Sequence, residues 1–391
     1  MSKILFFIIS IIIIYGLIYF IEFVDFYGIL DIFEKKYTTI FYIIPVIIAV
    51  FLTLITYLSF LINHKLYRII YIFSFTLLGI FINFFMIISI YLFIGIWYNW
   101  PKIYGIVICL ILPSLFNIYG FICPFFTKIE YITLKYKNFK GNKKIICHIS
   151  DVHLGAIYQK GFSEKIVRLI KDIYFDVVVI TGDLCDGSLQ VEADWMESFN
   201  SIDKPIIYIT GNHEELHGTV KMLKETEKTK IKHIYNKNII IEDINFVCID
   251  YECDFFETLN KIKPLNSSNE IPNVLLAHIP KLKPEDLKDY NIFLFLCGHT
   301  HGGQFFPFHI PTYFANTCLW GLYKSKISDN YVFVSQGVGL ANIPMRTFSR
   351  SVISMITIEN DESIINNNDI NDNRDSFKNI HSSSKENIIQ I

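Results

Sequence analysis

The chain has 391 residues, 52% of them hydrophobic and 16% aromatic, with 35 basic against 37 acidic side chains and a formal net charge of -2. So apolar a composition lies beyond the globular range and points to a membrane protein, while a balanced charge without a basic, aromatic-interleaved patch excludes a nucleic-acid binder. The eight cysteines show no paired or C-x-x-C spacing, so they read as small apolar fillers compatible with reducing surroundings.

Four uncharged apolar runs, residues 4–21, 40–62, 69–98 and 103–126, fill the first third. Each reaches the roughly 18–20 residues that a helix needs to cross the hydrocarbon core. Pro45 and Pro113 are tolerable inside such spans, and Trp97, Tyr98 and Trp100 stand where an interfacial aromatic belt lies. The first run is too long for a cleaved leader and lacks a small-residue cleavage site. About nine Lys and Arg fall in the N-terminus, the 63–68 loop and residues 128–144, against about three in the loops 22–39 and 99–102. Basic residues accumulate on the cytoplasmic side, so a multi-pass protein with both ends, and hence residues 143–359, in the cytoplasm is expected. Residues 1–127 form the membrane region and 128–142 a basic linker. Fully extended, the seventeen residues from Thr127 to Lys143 span at most roughly 60 Å.

From Lys143 the pattern changes. Short β-branched and aromatic runs at 145–149, 177–181, 206–210, 274–277 and 292–297 read as buried strands. Helical stretches at 163–172, 191–199 and 220–226 separate the first of them, giving an α/β pattern. Further strands at 239–241, 246–249, 331–335 and 352–358 have less helix between them, and residues 360–391 have the Asn, Asp and Ser richness of a disordered tail.

Each strand run ends in polar residues: Asp151-Val152-His153, Gly182-Asp183, Gly211-Asn212-His213-Glu214, His278, and Gly298-His299-Thr300-His301. Asp, Asn and His suit Mn, Fe, Zn or Mg rather than a thiolate-loving metal. Their number exceeds one tetrahedral site and favours two divalent ions sharing a carboxylate, for which Asp183 is the natural bridge.

This ordered series, with intervals of roughly 30, 30, 65 and 20 residues, resembles the calcineurin-like metallophosphoesterases over about residues 143–359. The resemblance implies a four-layer α/β/β/α sandwich. It implies that Asp151, His153, Asp183 and His301 hold one metal and that Asp183, Asn212, His278 and His299 hold the other. His213, beside ligand Asn212, becomes the candidate acid for the leaving group, and Asp186 resembles the carboxylate that orients it. Glu214 is expected to bond loop amides. His148, His217, His233 and His309 have no place in the pattern.

A dimetal site that activates water and neutralises phosphate oxygens suits hydrolysis of a phosphomonoester, phosphodiester or pyrophosphate. Where the phosphoprotein phosphatases carry a phosphate-gripping arginine, this chain has Gly187, which argues against a protein substrate. His278-Ile279-Pro280 departs from the commoner H-N-P. The run from Gly298 to Gln304, with Gly337-Val338-Gly339 and Pro344-Met345-Arg346, resembles a membrane-associated branch that includes relatives active on lipid-linked substrates such as UDP-diacylglucosamine. The bilayer and a lipid or lipid-linked phosphoester are therefore the expected partners. The aromatic stretch 305–323 either dips into the interface, lines an acyl pocket, or covers the second sheet. A degenerate metal-binding sensor or scaffold is the alternative, and the intact ligand set speaks against it. A transporter is disfavoured by the scarcity of ionisable residues in the spans.

Overall fold

The computed structural model describes residues 15–25, 27–29, 39–59, 65–98, 101–137, 139–141, 143–262, 270–361 and 388–389. Two helices among them are long and apolar enough to cross a membrane, Tyr67–Gly95 and Ile103–Phe125. The expected second span coincides with the helix Thr39–Ser59, which contains Pro45. Residues 4–14 of the first lie outside the described residues. Its remainder is helical from residue 15 and runs on to residue 25, burying Glu22 and Asp25, which the sequence reading left in a loop. Within the last span a π-helical turn, Val107–Ile111, precedes Leu112–Ile122, where Pro113 stands in the first turn. The wider turn accommodates the ring and the missing N–H.

The strands are β1 (Lys128–Tyr136), β2 (Lys143–Ile149), β3 (Val177–Thr181), β4 (Ile206–Ile209), β5 (Ile231–His233), β6 (Lys237–Ile241), β7 (Ile244–Cys248), β8 (Asn273–Leu276), β9 (Leu294–Cys297), β10 (Gly321–Lys324), β11 (Tyr331–Val334) and β12 (Val352–Asn360). One sheet runs β1-β12-β2-β3-β4-β5, and the other β10-β11-β9-β8-β7-β6. Ile388–Ile389 lies parallel to Leu322 and Tyr323 on the β10 edge, and the rest of the expected tail beyond Asp361 is outside the described residues.

Side-chain alternation along the strands builds the layers. Ile146, Val177, Val179 and Ile207 turn inward to meet Phe246, Val274, Leu276 and Leu294 of the second sheet. Their neighbours Cys147, Val178 and Ile180 turn outward onto the helix Lys160–Ile170, while Val247, Leu275 and Phe295 cover the helix Phe255–Ile262. This is the expected α/β/β/α sandwich. The cysteines among these residues are free, as are the other described ones.

Three segments differ from expectation. Residues 191–199 form the 3-10 turns Ala193–Trp195 and Glu197–Ser201 instead of an α-helix. The Trp195 carbonyl accepts from the Ser163 hydroxyl, and the Phe199 N–H turns to Met196. Most of the expected linker is β1, paired parallel with β12 along nine residues. A helix, His309–Ala315, interrupts the aromatic stretch.

Nor do the spans stand apart from the catalytic layers. Arg68 donates to the Ala156 and Ile157 carbonyls at 2.6 and 3.2 Å, and Tyr71 donates to Asn342 at 3.0 Å. The Arg346 N–H donates to the Gly120 carbonyl at 2.9 Å. Tyr71, Phe75 and Ile82 share one apolar cluster with Val152, Ile343 and Met345.

Candidate metal centre

The carboxyl ends of β2, β3, β4, β8 and β9 converge, and each delivers its polar residues to one rim. On one side the His153 Nε2 lies 2.9 Å from His301 Nε2 and 3.6 Å from Asp183 Oδ2, with Asp151 Oδ1 3.4 Å from the His301 nitrogen. On the other, His278 Nε2 lies 3.2 Å from the same Asp183 oxygen and 3.0 Å from Asn212 Oδ1, which is 2.9 Å from His299 Nδ1. The two expected sets are thus brought together, and Asp183 faces both.

These spacings test whether metal fits. Donors about 2.1 Å from a common ion stand about 3.0–3.4 Å from one another. The nitrogens and oxygens here, 2.9–3.6 Å apart, have the spacing of ligands around a shared cation. Asp151, His153 and His301 form one buried candidate cluster, and Asp151, Asp183 and His278 another.

The backbone is bent to the purpose. Asp151, His153, Asp183, His299 and His301 all have φ between 50° and 71°, a left-handed region that costs a non-glycine residue roughly 1–3 kcal/mol when the surroundings must enforce it. Gly298 packs against the turn so closely that a Cβ would stand 2.4 Å from the Asp151 carboxylate, and one at Gly211 would stand 2.2 Å from that of Asp183.

Electrostatics follow from burial. Desolvation pushes His153 and His301 well below the usual histidine range, helped by the neighbouring imidazoles and by Arg346. Burial would lower His278 too, but Asp183 and Asp151 outweigh it and hold this group up at about 10. Against its own burial, Asp183 is kept well below the ordinary carboxylate range by His278, His213 and His153. The rim therefore gathers neutral imidazoles at His153, His299 and His301 around an ionised Asp183, while His278, held protonated by the two carboxylates, would give up its proton to a divalent cation that takes the proton's place.

His213 sits at the mouth, half-buried like Asn212 and His299, with Nε2 4.0 Å from Asp183 Oδ2. Its ring is oriented, but not by the Asp186 carboxylate as expected. The His213 Nδ1 is 2.8 Å from the Asp186 backbone carbonyl. The carboxylate instead accepts from the Ala156 and Ser188 N–H groups and the Ser188 hydroxyl, so it shapes the loop on which that carbonyl is held. The reason is proximity: a Cβ on Gly155 would overlap the Asp186 carboxylate, which fills that space. Glu214 behaves as expected, accepting from the N–H groups of Asp183, Cys185 and Gly211. Burial raises it to about 7. His148 bonds Thr181 and His233 bonds Asp250, both away from the rim.

Sequence reasoning placed Arg346 in a run resembling a membrane-associated branch but gave it no part at the rim, where it is fully buried. Its guanidinium donates to the carbonyls of Gln336, Gly337, Gly339 and Arg350 at 2.7–2.9 Å and reaches within 3.4 Å of His301 Nδ1. The strap it secures clamps the first ligand loop, since Val338 and Gly339 N–H donate to the Ser150 and Asp151 carbonyls. The available signal was an arginine closing the apolar run 337–345.

A family model for calcineurin-like phosphoesterases matches residues 145–303. An uncharacterized metallophosphoesterase of Helicobacter pylori (strain ATCC 700392 / 26695) is 32% identical over 218 residues, covering 54% of this chain and 58% of that protein. One of Campylobacter jejuni is 30% identical over 269 residues, 64% of this chain and 68% of that protein. A Bos taurus transmembrane protein with metallophosphoesterase domain is 29% identical over 238 residues, 56% and 53% respectively. The chain spans a little over half the length of the first relatives it matches.

Proposed function

The chain belongs to the calcineurin-like metallophosphoesterase family, and from that premise we propose a membrane-bound hydrolase that cleaves a phosphomonoester, phosphodiester or pyrophosphate bond in a lipid or lipid-linked substrate. The observation that carries the reading is the convergence of seven donor side chains at a rim whose backing strap is bonded to two helices long and apolar enough to cross a membrane.

In this reading Asp151, His153, Asp183 and His301 hold one divalent ion, and Asp183, Asn212, His278 and His299 the other; Mn, Fe, Zn and Mg all suit the set. When bound, the ions supply the Lewis acidity that activates water and neutralises phosphate oxygens. His213, held by the Asp186 carbonyl at Nδ1, presents Nε2 to the leaving oxygen and gives it a proton. A cavity of about 200 Å³ beside it, lined by Gly187, Leu189, Gln190, Lys221 and Met222, receives the leaving group, with Lys221 as its one cationic side chain. Gly187 has φ 70°, and a Cβ there would press on Leu216 and the His213 carbonyl. The phosphate-gripping arginine of the phosphoprotein phosphatases has no room at that position, which favours a non-protein substrate.

The catalytic layers face the cytoplasm in this proposal, on the distribution of basic loop residues. A reporter fused after Asn360 tests that placement: accessibility from the outer face alone overturns it and leaves the chemistry untouched. For the reaction, the purified full-length protein is assayed in mixed micelles against phospholipids, nucleotide-linked lipids and water-soluble esters with the same headgroups, with Mn and with chelator. Metal-dependent turnover that favours the lipids is expected. Equal rates on soluble analogues sink the lipid assignment, and no turnover of any ester by metal-loaded protein sinks the hydrolase.

A further inference from the structure

The stretch 305–323 carries no Lys, Arg, Asp or Glu, yet much of it faces outward. Its helix His309–Ala315 buries no residue, and Ile310, Tyr313 and Phe314 are 55%, 61% and 81% exposed. Phe348 is 65% exposed as well, at φ 66°, a conformation that a bulky residue rarely adopts. Soluble surfaces seldom present so many large apolar groups side by side.

The patch is continuous with a span. The Phe348 ring packs against Phe116 of the helix Ile103–Phe125, at 5.4 Å between centroids, and against Phe306 and His309 at 5.9 and 6.0 Å. Phe116 lies nine residues back from the Phe125 end of the span, about 13 Å at 1.5 Å per residue. With the 23-residue helix centred in a hydrocarbon layer about 30 Å thick, that position falls inside the layer, close to Gly120 where the strap docks. A ring stacked on it from outside the helix enters the same layer. The companion span, Tyr67–Gly95, has 29 residues and measures about 43 Å, longer than that layer. Tilting is one remedy for such an excess. Here the docked part, from Tyr67 through Tyr71 and Phe75 to Ile82, is longer than that excess, so the catalytic cluster lies alongside the first half of the helix. The catalytic layers thus rest directly on the membrane plane, with the exposed Arg350 and Lys128 beside the patch for anionic headgroups.

We propose that Phe348 and the helix His309–Ala315 insert into the bilayer interface beside the spans, as a collar that sets the metal rim against the lipid headgroups. The occupant of this surface is the bilayer, and the proposal rests on the membrane-bound part of the reading above, not on the substrate. The collar is joined rigidly to the ligand loop. Gln304, three residues after His301, donates to the Ala341 and Ile343 carbonyls at 3.0 and 2.9 Å, and Phe306 N–H donates to the Thr347 hydroxyl at 2.7 Å.

The full-length protein in phosphatidylcholine/phosphatidylglycerol nanodiscs doped with a diazirine-bearing phospholipid tests this. After irradiation, adducts are mapped by peptide mass spectrometry. Peptides covering 305–323 and Phe348 should be labelled at least threefold above those carrying Tyr174 or Ile240, apolar residues that are 65% and 53% exposed elsewhere. In a Phe314→Asn, Phe348→Asn variant the collar adducts should fall while span adducts persist; asparagine tolerates the left-handed backbone at 348. Labelled spans with a collar no more reactive than Tyr174 overturn the proposal. Unlabelled spans overturn the membrane reading on which it rests.

Discussion

Replacing Arg346 by lysine should loosen one half of the rim more than the other. Four backbone carbonyls accept from the guanidinium at 2.7–2.9 Å in an environment without exposure. A lysine ammonium offers three donors from a single point and cannot match carbonyls set around a planar fork. Leaving one or two of them without a partner costs about 1–3 kcal/mol each, so a destabilisation of about 2–4 kcal/mol is expected. For a unit of roughly 200 residues that lowers the midpoint of thermal unfolding by about 4–16 °C. The carbonyls of Gly337 and Gly339 belong to the strap that clamps Ser150 and Asp151. The ion proposed for Asp151, His153 and His301 should therefore bind about 10–100-fold more weakly, the usual effect of losing an outer support. Scanning fluorimetry in detergent and a metal titration of the apoprotein read the two effects. A variant that melts within about 1 °C of the wild type and fills both sites at the same concentrations would falsify the clamp.

Asp183→Asn, at the position facing both donor sets, should lose metal and turnover together; two retained ions with a normal rate would remove Asp183 from its bridging place. His213→Ala should keep its metals but slow esters with basic alkoxide leaving groups by about two to four orders of magnitude, sparing an activated aryl ester. Equal losses on both substrates would point to another role. His148, which burial holds down at about 3 against an ordinary value of 6.5, must stay neutral in the folded protein. A depressed value means that this stabilisation is complete above pH 6.5 and is lost as pH falls towards 3, by up to about 5 kcal/mol. His148→Gln should therefore show a shallower decline of unfolding temperature between those limits, and an unchanged acid slope would refute the assignment.

The donors that meet at the rim were legible because polar residues at the ends of apolar strand runs have few reasons to recur in that order. The Asp186 contact was not, because the group that meets His213 is a peptide carbonyl, and no side-chain pattern reports a carbonyl. The same holds for Arg346, whose main partners are backbone oxygens. β1 looked like a linker since its alternation in Lys128–Tyr136 is interrupted by lysines and its partner lies far along the chain. The docking of Tyr71 and Phe75 onto the catalytic layers was hidden for another reason. A helix apolar on every side gives no sign of which side meets protein and which meets lipid.

β12 lies between β1 and β2 in the first sheet, although some two hundred residues separate it from either in sequence. On a ribosome adding about 5–20 residues per second, β1 is made and then waits on the order of 10–40 s for the strand that pairs with it. Until then it and β2 both offer open edges, the kind that recruit stray strands. A chain stopped before Val352 contains every proposed metal donor and yet lacks the strand that joins β1 to the rest of the sheet. Truncations from the C-terminal side should therefore be sorted by whether they keep Val352–Asn360, not by whether they keep the rim.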